Sequence, residues 1–319
     1  MFNRRSFAVF VFAGVSVSAQ SALDQLKAYK DGTAAPAQVA KQSVTAATAT
    51  AQKYDIVGIK VGMTIREALA ALKAHSVNFR LTPQSLKYDV VPNPLTYGIW
   101  AATPNVRGAS IGPPDSEQFY FLIAMPPNQE VVSKVTRLVR WSLNTAPVQE
   151  TLMADLLRKY GAPSSDTGAD QLNSYGSREL VWADDARGNR VQGAKGKELS
   201  RCTQDPTTAF SLVRGGGLDS FNLAPDLERV KGNVEQGYGK LGGSPEQCAQ
   251  YTMIRAVLYN SRLLRYPPAP EVVGGLVTMI GSAPLDHSAS DTTHDFLVRA
   301  QKNRDANQTK AAEQNRPKL

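Results

Sequence analysis

The stretch YDIVGIKVGMTIREALAALKAH, Tyr54 to His75, leaves the chain fewer conformational choices than any other. Thr64 is followed three residues later by Glu67, the spacing of a capping box. The threonine hydroxyl can take an unpaired amide of a first helical turn, and the glutamate can reach back to the cap. Ile65, Ala68, Leu69 and Leu72 then recur at helical spacing, so a helix with one buried face is expected from Thr64 to Ala74. Gly58 and Gly62 permit the bend that leads a strand-like segment into it. An anion held at the helix start beside Lys60 is the functional alternative. The glycine spacing matches neither GxGxxG nor GxxxxGK[ST], which favours a purely structural reading.

Downstream, EQFYFLIAM and SKVTRLVRWSL are rich in β-branched and aromatic residues, and PPNQE separates them, as in a long hairpin. Pro147 opens a second amphipathic segment, PVQETLMADLLRKYG, which Gly161-Ala162-Pro163 stops. Strand signals return at RELVWAD, TAFSLV, YTMIRAVLYN and EVVGGLVTMI, and a last helix is expected over about Asp291 to Lys302. Helix then strands, twice over, predicts an α+β fold: an antiparallel sheet with helices packed on one face. Two helix-plus-strands repeats are an open reading of the same pattern.

The ends differ from this body. Arg4 and Arg5, the apolar run Phe7–Val17 and the small residues of Val17-Ser18-Ala19 read as a signal peptide over 1–19, cleaved before Gln20. The apolar run is too short to span a bilayer, so no transmembrane segment is expected after cleavage. Arg4-Arg5 also leaves twin-arginine export open beside the ordinary secretory route. Residues 20–53, rich in Ala, Gln and Thr, read as a linker, 54–302 as the globular body and 303–319 as a polar basic tail. A division of the body near 144–148 is the alternative.

Export accounts for the cysteines. Only Cys202 and Cys248 occur, and an oxidising compartment favours their pairing. The 36 basic and 28 acidic residues give a net charge of +8, which loss of Arg4 and Arg5 lowers to +6. Lys302, Arg304, Lys310, Arg316 and Lys318 concentrate much of that excess in the tail. Weak electrostatic contact with an anionic envelope polymer fits this pattern. Nucleic acid does not, because no aromatic residue is interleaved with the tail cations.

Three histidines restrict the available chemistry. His75 suits a helix C-terminus, where a cation meets the dipole. In DHSASDTTHDF, a continuous helix would put His287, Asp291 and His294 or Asp295 on one face, a set able to bind zinc. The competing reading starts the helix after His287, capped by Ser288 or Ser290, because Pro284 and the serines interrupt it. Neither GxSxG nor HExxH occurs, and RGGGLDSF reads as a turn rather than an anion nest. Trp100, Trp141 and Trp182 would make a carbohydrate platform only if they shared a face; core packing is the alternative. No cofactor is expected, and no catalytic residue is assigned.

GIKVGMTIREALAAL resembles the opening of SmpA/OmlA-type outer-membrane assembly proteins, where a Gly-Met-Thr and an acidic residue begin a helix. Similar helix-plus-hairpin repeats occur in β-lactamase-inhibitor-like secreted proteins, whose helices end in Gly-x-Pro, as LLRKYGAPS does here. The chain is longer than such proteins, lacks a lipidation cysteine, and its first helix ends at KAHS. The resemblance implies a periplasmic or secreted envelope protein that binds or scaffolds an envelope partner without catalysis, presenting a sheet and its loops. An envelope hydrolase with a metal-assisted site around Asp286, His287, Asp291 and His294 is the rival.

Overall fold

The computed structural model describes residues 51–76, 78–107, 112–167, 177–185, 187–192, 199, 202–203, 227–236, 248, 250–260 and 272–314. All belong to one compact unit, Pro36–Leu319. The expected signal peptide, most of the linker, TAFSLV and RGGGLDSF lie outside the described residues.

The fold is α+β. Among the described residues, eight antiparallel strands make one sheet: β1 Arg80–Leu86, β2 Leu95–Ala102, β3 Ser116–Ile123, β4 Val132–Arg140, β5 Ser165–Asp166, β6 Ser177–Asp184, β7 Thr252–Asn260 and β8 Val273–Ser282. Their spatial order is β1-β2-β3-β4-β8-β7-β6-β5, so β4 and β8 meet at the centre. The helices are α1 Ile65–His75, α2 Gln149–Tyr160, α3 Leu227–Gln236 and α4 Ala283–Gln314.

The opening stretch behaves as its spacing predicts. Thr64 and Glu67 close both halves of the capping box, and Ile65, Ala68 and Leu72 are buried. Gly58 and Gly62 take positive φ, 83° and 90°, in the bend ahead of it. α2 stops at Gly161, again at positive φ (77°). The PPNQE hairpin joins β3 to β4 as expected, with a cis bond between Pro126 and Pro127.

α1 and α2 share one face of the sheet. Phe119, Phe121, Ile123, Val135, Leu180, Trp182, Ile254 and Leu276 pack beneath them in one apolar core. The expected single helical face holds for this pair. The alternate residues of β3 point the other way, and Leu122 meets Val230 of α3 and Asp286 of α4 at a shared cavity wall. The two later helices therefore lie against the opposite face, and β8 is buried along its whole length.

Three boundaries differ from the sequence expectation. Ala51 is fully buried and Lys53 pairs with Asp184, so the packed body begins before Tyr54. β1 and β2 carry no strand forecast because Pro83 and a polar sequence mask β1, which is an edge strand where proline is tolerated. α4 begins at Ala283 rather than after His287 and runs past Lys302 to Gln314. Pro284 sits in its first turn, where a missing N–H is harmless, so proline opens this helix instead of interrupting it. Arg304, Ala306, Gln308 and Lys310 to Gln314 are good helix formers, and Gln301–Asp305 and Arg304–Gln301 bonds link successive turns.

Candidate functional site

The continuous α4 satisfies the condition for His287, Asp291 and His294 to share a face. It does not bring them together as a site. His294 Nδ1 lies 2.8 Å from the Val234 carbonyl oxygen, so the ring is committed to joining α4 to the end of α3. Asp291 and Asp295 are exposed. Among the described residues, no group of three or more His, Cys, Asp or Glu side chains is placed to hold a metal ion.

Asp286, one residue earlier, points elsewhere. It is buried, its carboxylate accepts from Ser133 Oγ at 3.4 Å, and it lines a cavity with Asn233, Ser290, Thr293 and Leu122. The cavity measures about 20 Å³, room for a water-sized occupant. Its walls come from β3, α3 and α4, and the hairpin after β3 is clamped over it. Asn128 Nδ2 donates to the Ala289 carbonyl at 3.0 Å and to Thr293 Oγ1 at 3.2 Å; Thr293 Oγ1 donates to the Met125 carbonyl at 3.2 Å. One carboxylate, one amide and hydroxyls can hold a small polar group.

A second polar cluster lies on the α1 face. His75 Nε2 is 3.0 Å from both Glu117 carboxylate oxygens, and Arg137 Nε donates to Glu117 Oε1 at 2.5 Å. His75 stacks on Phe79, and both rings meet Phe119 edge-on. His75 thus ends its helix as expected, but its charge partner is a β3 carboxylate that sequence spacing could not reveal.

A third cluster centres on the buried carboxylate of Asp184. Asp184 accepts from Tyr54 OH at 2.6 Å and from Arg190 Nε at 2.7 Å, while Arg190 Nη2 donates to Tyr54 OH at 2.6 Å. Burial pushes the neighbouring Tyr160 hydroxyl well above the ordinary phenol range, and that hydroxyl donates to the Asp55 carbonyl. This knot fastens the segment before α1 to β6 and the end of α2.

The expected cysteine pair is present: Cys202 and Cys248 are bridged, with Cα atoms 5.6 Å apart, and both are buried. Arg255, a buried guanidinium on β7, grips Glu179 through two bonds of 2.7 and 3.1 Å and donates to the Thr203 carbonyl next to Cys202. The tryptophans form no platform. Trp100 bonds to Gln118 on one face, whereas Trp141 and Trp182 pack with the α1–α2 core on the other.

Among the described residues, no helix is long and apolar enough to cross a membrane. In comparisons with known proteins, no family model, curated protein or solved structure matches this chain.

Proposed function

We propose that this is an exported bacterial envelope protein that binds or scaffolds a partner protein and carries out no catalysis. The observation that carries the reading is the common wiring of the two halves. Each is a helix followed by four antiparallel strands, interrupted in the second half by α3, and in each the residue ahead of the helix bridges the residue ahead of the last strand. Thr64 pairs with Val131 in the first half and Val148 with Val272 in the second. That arrangement fits the tandem helix-plus-strands repeats that the opening motif resembles, a design that presents sheet and loop surface. The buried Cys202–Cys248 bridge suits an oxidising compartment and supports a periplasmic or secreted location after loss of residues 1–19.

Crosslinking in cells, followed by identification of the captured protein, tests the reading. A specific envelope protein, still captured after deletion of residues 303–319 and at high salt, is the expected result. Capture lost on tail deletion would reduce binding to electrostatic attachment. Stoichiometric zinc in the purified protein, lost on joint His287→Ala and His294→Ala substitution, would replace the reading with the hydrolase.

A further inference from the structure

On the α1–α2 face the two outer strands of the first half are only partly covered. Ala71 turns toward the segment before the helix, where a Cβ on Gly58 would come within 3.9 Å of it. Helical spacing then aims the opposite flank of α1, with Arg66, Leu69 and Lys73, over β2 and β1. Strand register sets Leu81 beside Ala101 and Phe119, and Ile99 beside Phe121, so Leu81 and Ile99 carry the α1 core outward. Leu69, Phe79, Leu81 and Ile99 are all half-buried at its border. Two strands about 4.8 Å apart leave a strip about as wide as one helix, roughly 10 Å.

The second half indicates what such a strip accepts. There the segment before α1 lies beside α2: Tyr54 rests edge-on against Tyr160 and bonds to Asp184 of β6. An aromatic ring fills that place, and Tyr54 and Lys53 of the segment donate to a carboxylate that the sheet supplies. On the first half the charges around the strip are cationic. Arg66 and Lys73 are exposed along one side, and at the end Glu117 is paired with Arg137.

The geometry points to a docking groove between α1 and β1 that takes an acidic amphipathic helix of another protein, its apolar stripe on Phe79, Leu81 and Ile99. This rests on the binding reading above and names the chemistry of the partner. Association would be steered by Arg66 and Lys73 and weakened by salt.

The test uses the full mature chain and two synthetic amphipathic peptides of roughly 15 residues. Both carry one Leu/Phe stripe with a photo-reactive group; one has Glu at its remaining positions, the other Lys. Anisotropy should show the Glu peptide binding about 10-fold tighter at low salt, with crosslinks to Phe79, Leu81 or Ile99. Leu81→Asp and, independently, the surface change Lys73→Glu should each weaken it about 10-fold with the melting temperature unchanged for Lys73→Glu. Equal affinity for both peptides, no binding, or crosslinks elsewhere would overturn the groove. So would self-association of the chain abolished by Leu81→Asp, which would make a second copy the occupant. A cellular partner captured through another surface would remove the groove and leave the binding reading standing.

Discussion

The two halves of the sheet share a wiring but not a burden. The first, α1 with β1 to β4, is built from short connections and keeps its outer strands half open. The second, α2 with β5 to β8, places the disulfide, α3 and the Arg255–Glu179 pair between β6 and β7, and then adds α4. Those additions lie against the sheet face that α1 and α2 leave uncovered. One face is therefore closed by apolar side chains under two amphipathic helices. The other buries Arg255, Asp286, Asn233 and Thr136 and depends on hydrogen bonding as well as area. A buried polar face is stable only while its partners stay in place, which makes the second half the more fragile to single substitutions.

Beyond the β4–β8 strand pairing, the halves are joined by the Tyr54–Asp184–Arg190 knot. Asp184→Ala should cost about 3 kcal/mol, because Tyr54 and the partly buried Arg190 both lose the buried carboxylate they donate to. Urea unfolding would measure this. A loss under about 1 kcal/mol would mean that the segment before α1 is not a structural part of the second half. Removal of the cysteine bridge comes next. Closing a loop of 46 residues restricts the unfolded chain by up to about 4 kcal/mol. A Cys202→Ala, Cys248→Ala protein should unfold earlier by up to that amount. Hydrogen exchange should rise in β6 and β7 and stay low in β2 and β3; equal loss in both halves would remove the distinction between them.

Glu130 tests the first half through pH. It is buried just before β4 with a positive φ of 38°, and burial pushes its carboxyl up to about 7. The unfolded chain releases this proton near pH 4.5, whereas the folded chain holds it to about 7. The folded state therefore binds the extra proton, and its stability falls as pH rises between those values, by at most about 3 kcal/mol. Glu130→Gln should melt higher than the parent at pH 8 and close to it at pH 4.5. A difference that did not change with pH would place the carboxylate in contact with solvent or a cation.

How much of this was legible beforehand depended on whether a segment's own residues decide its state. The α1 capping box, the Gly161 stop and the β3–β4 hairpin are local, and each is found where its spacing put it. β1 was hidden because Pro83 reads as a breaker until its place at the edge of the sheet is known. α4 was misread for the opposite reason: Pro284 and the serines suggest interruption, but proline in a first turn starts a helix. The polar clusters were illegible, since Asp184 with Tyr54 and Glu117 with His75 are separated by 130 and 42 residues. The metal candidates show the converse limit. Correct helical spacing aligned His287 and His294, but the Val234 carbonyl engages the second ring.

The smallest effect sharpens the comparison most directly, because it asks whether corresponding positions are interchangeable. Thr64 and Val148 both precede a helix, both have extended backbone (φ near −65°, ψ 153° and 135°), and both bridge the residue ahead of the last strand of their own half. Thr64 caps α1 with its side chain; Val148 makes no such bond and is 45% exposed. The third helical position holds Glu67 in α1 and Thr151 in α2. Joint Val148→Thr and Thr151→Glu would copy the first helix's capping box onto the second without touching the core. The expected gain is about 1 kcal/mol, a rise of about 2–4 °C in melting temperature. Val148→Thr alone should deliver roughly half of it, and Thr64→Ala in α1 should cost about the same 1 kcal/mol. No gain in α2 beside a clear loss in α1 would mean that the two helix starts differ in more than their side chains, and the shared wiring would then stop at the backbone bridges.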